Sequence, residues 1–135
     1  MKDGRVTVYG FVIMPNHIHM IWQIQDKYER SKVQLSFLRY IAQKIKFRLI
    51  DTGDKALENF KVKAFDREYQ FWERNALSVD CGGGRVFMQK LNYIPNNPTQ
   101  VHWKLCEFRE AYEYSSFRFY ESGDNKFDFL SHYEG

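Results

Sequence analysis

A chain of 135 residues, 44% hydrophobic and 27% charged, has room for one real core and the balance of a globular protein. No apolar run reaches the ~18 residues that cross a bilayer, and the N-terminus lacks the basic-then-apolar layout of a secretory leader. Cys81 and Cys106 lack CxxC spacing and make neither a disulfide framework nor a zinc site, so a cytoplasmic protein is expected, and the net charge of +3 is too small to signal nucleic acid by itself.

Residues 5 to 14, "RVTVYGFVIM", are β-branched and aromatic with near-alternation, which predicts a strand. Pro15-Asn16 is turn chemistry, because proline fixes φ and asparagine tolerates the left-handed region. "HIHMIWQI" then alternates again, completing a β-hairpin. A period of two sends Ile18, Met20, Trp22 and Ile24 to one face and His17, His19, Ile21 and Gln23 to the other.

Ser31 and Gln34 have the spacing of a capping box. Leu35, Leu38, Ala42, Ile45 and Leu49 follow at helical intervals, predicting an amphipathic helix that ends at Asp51-Thr52-Gly53-Asp54. From Arg30 to Ile50 there are six basic residues and no acid, whereas from Glu107 onward seven acids face three basic residues. Such asymmetry allows an electropositive face on a nearly neutral protein. Arg39, Lys44, Lys46 and Arg48 are the candidate phosphate contacts on it. An ordinary solvated helix surface would read the same way.

Residues 55 to 68 are weakly patterned, and "YQFWERNALSVD", 69 to 80, reads as extended. "CGGG" is a loop without the lysine and hydroxyl residue of a phosphate-binding loop. "RVFMQKLNYIPNNP" predicts a short helix with Val86, Phe87, Leu91 and Ile94 on its apolar side, stopped by Pro95 and Pro98. The aromatic remainder through "YSSFRFYESG" is expected to pack over the sheet, and 121 to 135 to form a loose acidic tail of a single domain spanning 1 to 135. An 18% aromatic share suits either a compact core or a surface that stacks on bases.

Residues i and i+2 of a strand project from one face roughly 6 to 7 Å apart, so the rings of His17 and His19 can converge on one metal ion. Two histidines satisfied by water or carbonyls would look the same in sequence. The combination "MPNHIHMIW" followed by "LNYIPNNP" resembles the HUH-type single-tyrosine transposases, in particular the REP-associated branch, with His17-Ile18-His19 as the HUH motif. "LSFLRYIAQKIKFRL", "YQFWERN" and "YSSFRFYESG" are also similar to family segments in the same order, so the resemblance covers nearly the whole chain.

The resemblance implies a ferredoxin-like α+β sandwich, an antiparallel sheet with helices on one face. It implies Tyr93 as nucleophile, forming a 5′-phosphotyrosine link to single-stranded or hairpin DNA and freeing a 3′-hydroxyl. A phenol ionises near ~10, so it needs help at neutral pH. The implied help is magnesium or manganese held by His17, His19 and, four residues after the tyrosine, Asn97. In an α-helix that spacing would put Asn97 on the tyrosine's side. The family domain has a strand and a helix before the hairpin. Only eleven residues precede Val12 here, so the chain is expected to be shortened there, with the exposed sheet edge covered by a partner subunit or an exchanged element, as in a homodimer. Two other readings share these residues: a relic that binds hairpin DNA without cutting it, and a replication initiator or relaxase.

Overall fold

The two alternating stretches pair as an antiparallel hairpin, β1 (Val6–Ile13) and β2 (Ile18–Ile24), closed by the Met14 N–H donating to the His17 carbonyl at 2.8 Å. The computed structural model describes residues 4–74 and 76–135, a mixture of helix and sheet. Three α-helices follow the hairpin: α1 (Arg30–Asp51), α2 (Gly84–Tyr93) and α3 (Phe117–Ser122), with short 3-10 turns between them. No helix among the described residues is long and apolar enough to cross a membrane. The chain divides into two compact units, one from Tyr28 to Val79 and one built from the chain up to Lys27 together with Asp80–Gly135.

In the second of these units, both faces of the hairpin are covered. Tyr9 is an extra residue in β1, because Val8 pairs with Trp22 and Gly10 with Ile21. That bulge resets the alternation. Val8 and Phe11 therefore face Leu130, Met20 and Trp22, while Val12 and Met14 face Ile21, Leu91 and Ile94. Each fully buried aliphatic side chain here contributes about 1.5–3 kcal/mol. Gly10 is required by packing: a Cβ there would lie 2.7 Å from Leu91 Cδ1. Phe87 and Leu91 of α2, and Ile94 just after it, pack as the periodicity predicts, whereas Val86 is exposed and Met88 packs against the cluster.

The outer edge of β1 is covered from within the chain. Ile13 N–H donates to the Tyr114 carbonyl at 2.9 Å, Tyr112 Oη donates to the Ile13 carbonyl at 2.7 Å, and Ser116 N–H donates to the Phe11 carbonyl at 2.9 Å. Phe11 N–H in turn donates to Ser116 Oγ at 3.0 Å, and Ser131 N–H donates to the Val8 carbonyl at 2.9 Å. The tail expected to hang loose is thus pinned through Leu130 and Ser131. Its Phe127, Phe129 and Leu130 pack on Val8 and Phe11. No partner subunit is needed to satisfy that edge of the hairpin.

The Tyr28–Val79 unit is α1 with the segments that pack on it. Leu38, Ala42, Ile45 and Leu49 are half-buried on one side, but Leu35, expected with them, is exposed. The capping box does not form. Glu29 is the N-cap, Ser31 Oγ donates to the Glu29 carboxylate, and Gln34 accepts from Ser78 Oγ at 3.1 Å. Asp54, after the Gly53 turn at φ 62°, caps a 3-10 turn over Lys55–Phe60 by accepting from Ala56 N–H. Phe60 stacks on Phe71 at 4.6 Å, and the Trp72 indole donates to the Leu38 carbonyl at 2.8 Å. The extended stretch expected over 69 to 80 reduces to one bridge, Tyr69 to Lys61, among the described residues; Asn75 lies outside them.

Candidate functional site

Strand periodicity positions the histidine pair. His19 pairs with Val12, and the Met14–His17 bond continues the ladder, so both rings lie on the face where Val12, Met14 and Ile21 meet Leu91 and Ile94. The ring centroids are 4.9 Å apart in an edge-to-face arrangement, and Trp103 flanks His17 at 5.4 Å. His17 Nδ1 lies 2.7 Å from Asn16 Oδ1. An amide oxygen only accepts, so Nδ1 of His17 donates in this contact, which holds the ring in place. Burial, then the His17 charge, then the Lys90 charge hold the His19 pKa below its ordinary 6.5, favouring the neutral form that ligates a metal.

Tyr93 ends α2, two residues after the buried Leu91, and is 51% exposed. After it the helical period changes. Ile94–Thr99 is a 3-10 turn with Pro95 at its start and Pro98 inside. Within it, Asn97 Nδ2 donates to the Ile94 carbonyl at 2.9 Å. With about three residues per turn, Asn97 lies in register with Ile94 rather than with Tyr93. It is accordingly 6% exposed. The α-helical turn expected to carry Asn97 to the tyrosine's side is not formed. The bond to Ile94 fixes the amide, and its ligating atom is Oδ1. Asn96 is held separately, donating to the Asn92 carbonyl at 3.0 Å and accepting from Arg109 at 3.3 Å.

Two residues escaped sequence reasoning. Lys90 comes from α2, three residues before Tyr93, and Trp103 from the loop after the 3-10 turn; both reach the histidines only through tertiary packing. The i, i+3 spacing of Lys90 and Tyr93 was the signal available for the first.

The proposed basic contacts belong to the Tyr28–Val79 unit and split across α1. Arg39, Lys44 and Arg48 are exposed, with the Lys44 ammonium 5.4 Å from the Tyr40 ring centre. Lys46 is half-buried on another side of the helix, 5.0 Å from the Tyr69 ring centre.

Two imidazoles on one strand face, with Nδ1 of His17 committed to Asn16, can serve as two nitrogen ligands of a divalent ion that takes the rest of its shell from oxygen. Among the described residues no group of three or more His, Cys, Asp or Glu side chains could hold a metal, so a further protein ligand would be an amide, hydroxyl or carbonyl oxygen. Comparison with protein-family models, curated proteins and solved structures finds no match.

Proposed function

We propose that this chain cleaves and rejoins single-stranded DNA through Tyr93, with a divalent metal, magnesium or manganese, held by His17 and His19, on a domain related to the ferredoxin-like sandwich of single-tyrosine transposases. One observation carries the reading: the helix that bears Tyr93 packs on the same face of the hairpin that bears the two histidines. Asn97, four residues after Tyr93, offers Oδ1 as the third candidate ligand.

Tyr93 is exposed enough for a strand to reach it. Its phenolic oxygen forms the new bond to phosphorus, the bond from phosphorus to the 3′-oxygen breaks, and the phenolic proton is passed on to leave a 3′-hydroxyl. The strand stays linked to the protein through its 5′-phosphate, which conserves the phosphodiester energy for rejoining. A bound divalent ion would polarise the scissile phosphate and offset the charge that builds there. Lys90, on the helix that bears Tyr93, adds positive charge that acts on His19, and a phosphodiester held there would gain from it.

The test is incubation with hairpin-bearing single-stranded oligonucleotides and manganese, followed by a denaturing gel. Wild-type protein is expected to retain a covalently attached strand, and Tyr93→Phe, which removes only an exposed hydroxyl, to lose it without losing the fold. Chelation by EDTA is expected to stop cleavage. An adduct at wild-type level in Tyr93→Phe excludes the tyrosine, and full activity in EDTA excludes the metal.

A further inference from the structure

Helix α1 carries an exposed stripe that its own unit leaves uncovered. Tyr40 and Phe47 are 59% and 62% exposed on it, and Leu35, 49% exposed, lies about 140° round the helix from Tyr40. Arg39, Lys44 and Arg48 are exposed beside them. At 100° and 1.5 Å per residue, Tyr40 and Phe47 lie within ~20° of one another and roughly 10 Å apart along the axis. Arg39 falls on one flank of that aromatic line and Arg48 on the other. Two shallow grooves run along it, one bordered by Arg39 and Tyr40, the other by Lys44, Phe47, Arg48 and Asp51. Among the described residues no ion pair engages Arg39, Lys44 or Arg48.

Charge decides the occupant. Asp51, at the end of α1, is the one acid in this helix against six basic residues, so a second copy laid on this face would set mainly cations against cations. The partner must be anionic and must also offer flat apolar surfaces to two rings at the centre of the stripe. Unpaired nucleotides have both: phosphates for the flanking cations and base faces for Tyr40 and Phe47. A duplex hides its base faces and uses only the cations.

We propose that the α1 stripe is a stacking platform for single-stranded DNA, with Tyr40 and Phe47 against unpaired bases and Arg39, Lys44 and Arg48 on the phosphates. The proposal rests on the single-strand reading above and adds which residues hold the strand.

The test is fluorescence anisotropy of a fluorescein-labelled twelve-residue oligothymidylate against the full chain at two salt concentrations. Tyr40→Ala with Phe47→Ala is expected to weaken binding about tenfold or more, whereas Tyr40→Phe, which keeps the ring, should bind as wild type. Replacing Arg39, Lys44 and Arg48 by Ala should weaken binding and flatten the log–log salt slope by about 0.7 per lost phosphate contact. Circular dichroism should not change, since all five side chains are exposed. Equal affinity of the double aromatic variant and wild type overturns the proposal. So does binding to anionic phosphatidylserine vesicles without binding to the oligonucleotide, or a dimer that the aromatic variant dissociates. The adduct gel reads Tyr93 and the anisotropy reads α1, so either reading can fail alone.

Discussion

Protonation of His19 is opposed first by its partial burial, then by the neighbouring His17 and by the Lys90 ammonium. The folded pKa therefore lies below the 6.5 of an unfolded chain, and the unfolded state takes up the proton first as pH falls. His19's contribution to stability is complete above about 6.5 and is lost as pH drops through the folded value. In a metal-free NMR titration the His19 ring protons are expected to titrate with a midpoint below 6.5. Removing the nearby cation with Lys90→Gln should move that midpoint upward. A midpoint at or above 6.5 would mean that neither burial nor Lys90 acts on the ring as the geometry requires, and a neutral ligand at mildly acidic pH would lose its basis. Tyr120 is a second residue whose charged form is suppressed. Burial pushes it up to about 12, and its hydroxyl donates to the Tyr9 carbonyl at 2.6 Å, tying α3 to the bulge in β1.

Between elements, the decisive contact is Leu91 lying over Gly10. A methyl group at residue 10 would approach Leu91 Cδ1 to 2.7 Å and Ser116 Oγ to 3.3 Å, and Leu91 is itself buried. Gly10→Ala is expected to cost about 1–3 kcal/mol by overpacking, read as a fall in the denaturant midpoint. Because Leu91 sits two residues before Tyr93, the same change should reduce adduct formation at protein concentrations where the variant remains folded. An unchanged midpoint would show that α2 is not seated on the strand as described. Elements of this kind were legible to different degrees. The hairpin and its histidine face could be read because alternation and Pro15-Asn16 are local signals, and α1 because its apolar residues recur at helical intervals. The bulge at Tyr9 went unread, although Gly10 and the run Phe11-Val12-Ile13 interrupt the alternation and a glycine inside a strand often marks a bulge. Helical spacing misplaced Asn97 because Pro95 and Pro98 change the period from about 3.6 to 3.0 just after Tyr93. The docked tail was hidden because its acids outnumber Phe127, Phe129 and Leu130, and the strand they cover lies more than a hundred residues earlier.

At the scale of the molecule, length and composition speak of one core, yet the contacts gather into two units. The tryptophans report on them separately: Trp22 and Trp103 lie in the hairpin unit, while Trp72 is fixed to α1 through the Leu38 carbonyl. Leu130 is 8% exposed and packs against Val8 and Phe11, which are 0% and 2% exposed, so truncating it leaves a cavity on the hairpin's second face. Leu130→Ala is expected to cost about 2–4 kcal/mol, and the cost should fall on the hairpin unit. Variants retaining a single tryptophan separate the outcomes: with Trp22 alone, the urea midpoint of Leu130→Ala should drop, whereas with Trp72 alone it should hold. Equal shifts at both probes would show that the two units unfold in one cooperative step, and the substitution would then destabilise α1 and its exposed stripe as much as the histidine face. Separate shifts would leave a stripe that still binds a strand when the hairpin unit is weakened, so that anisotropy would survive a loss of strand attachment caused by packing rather than chemistry.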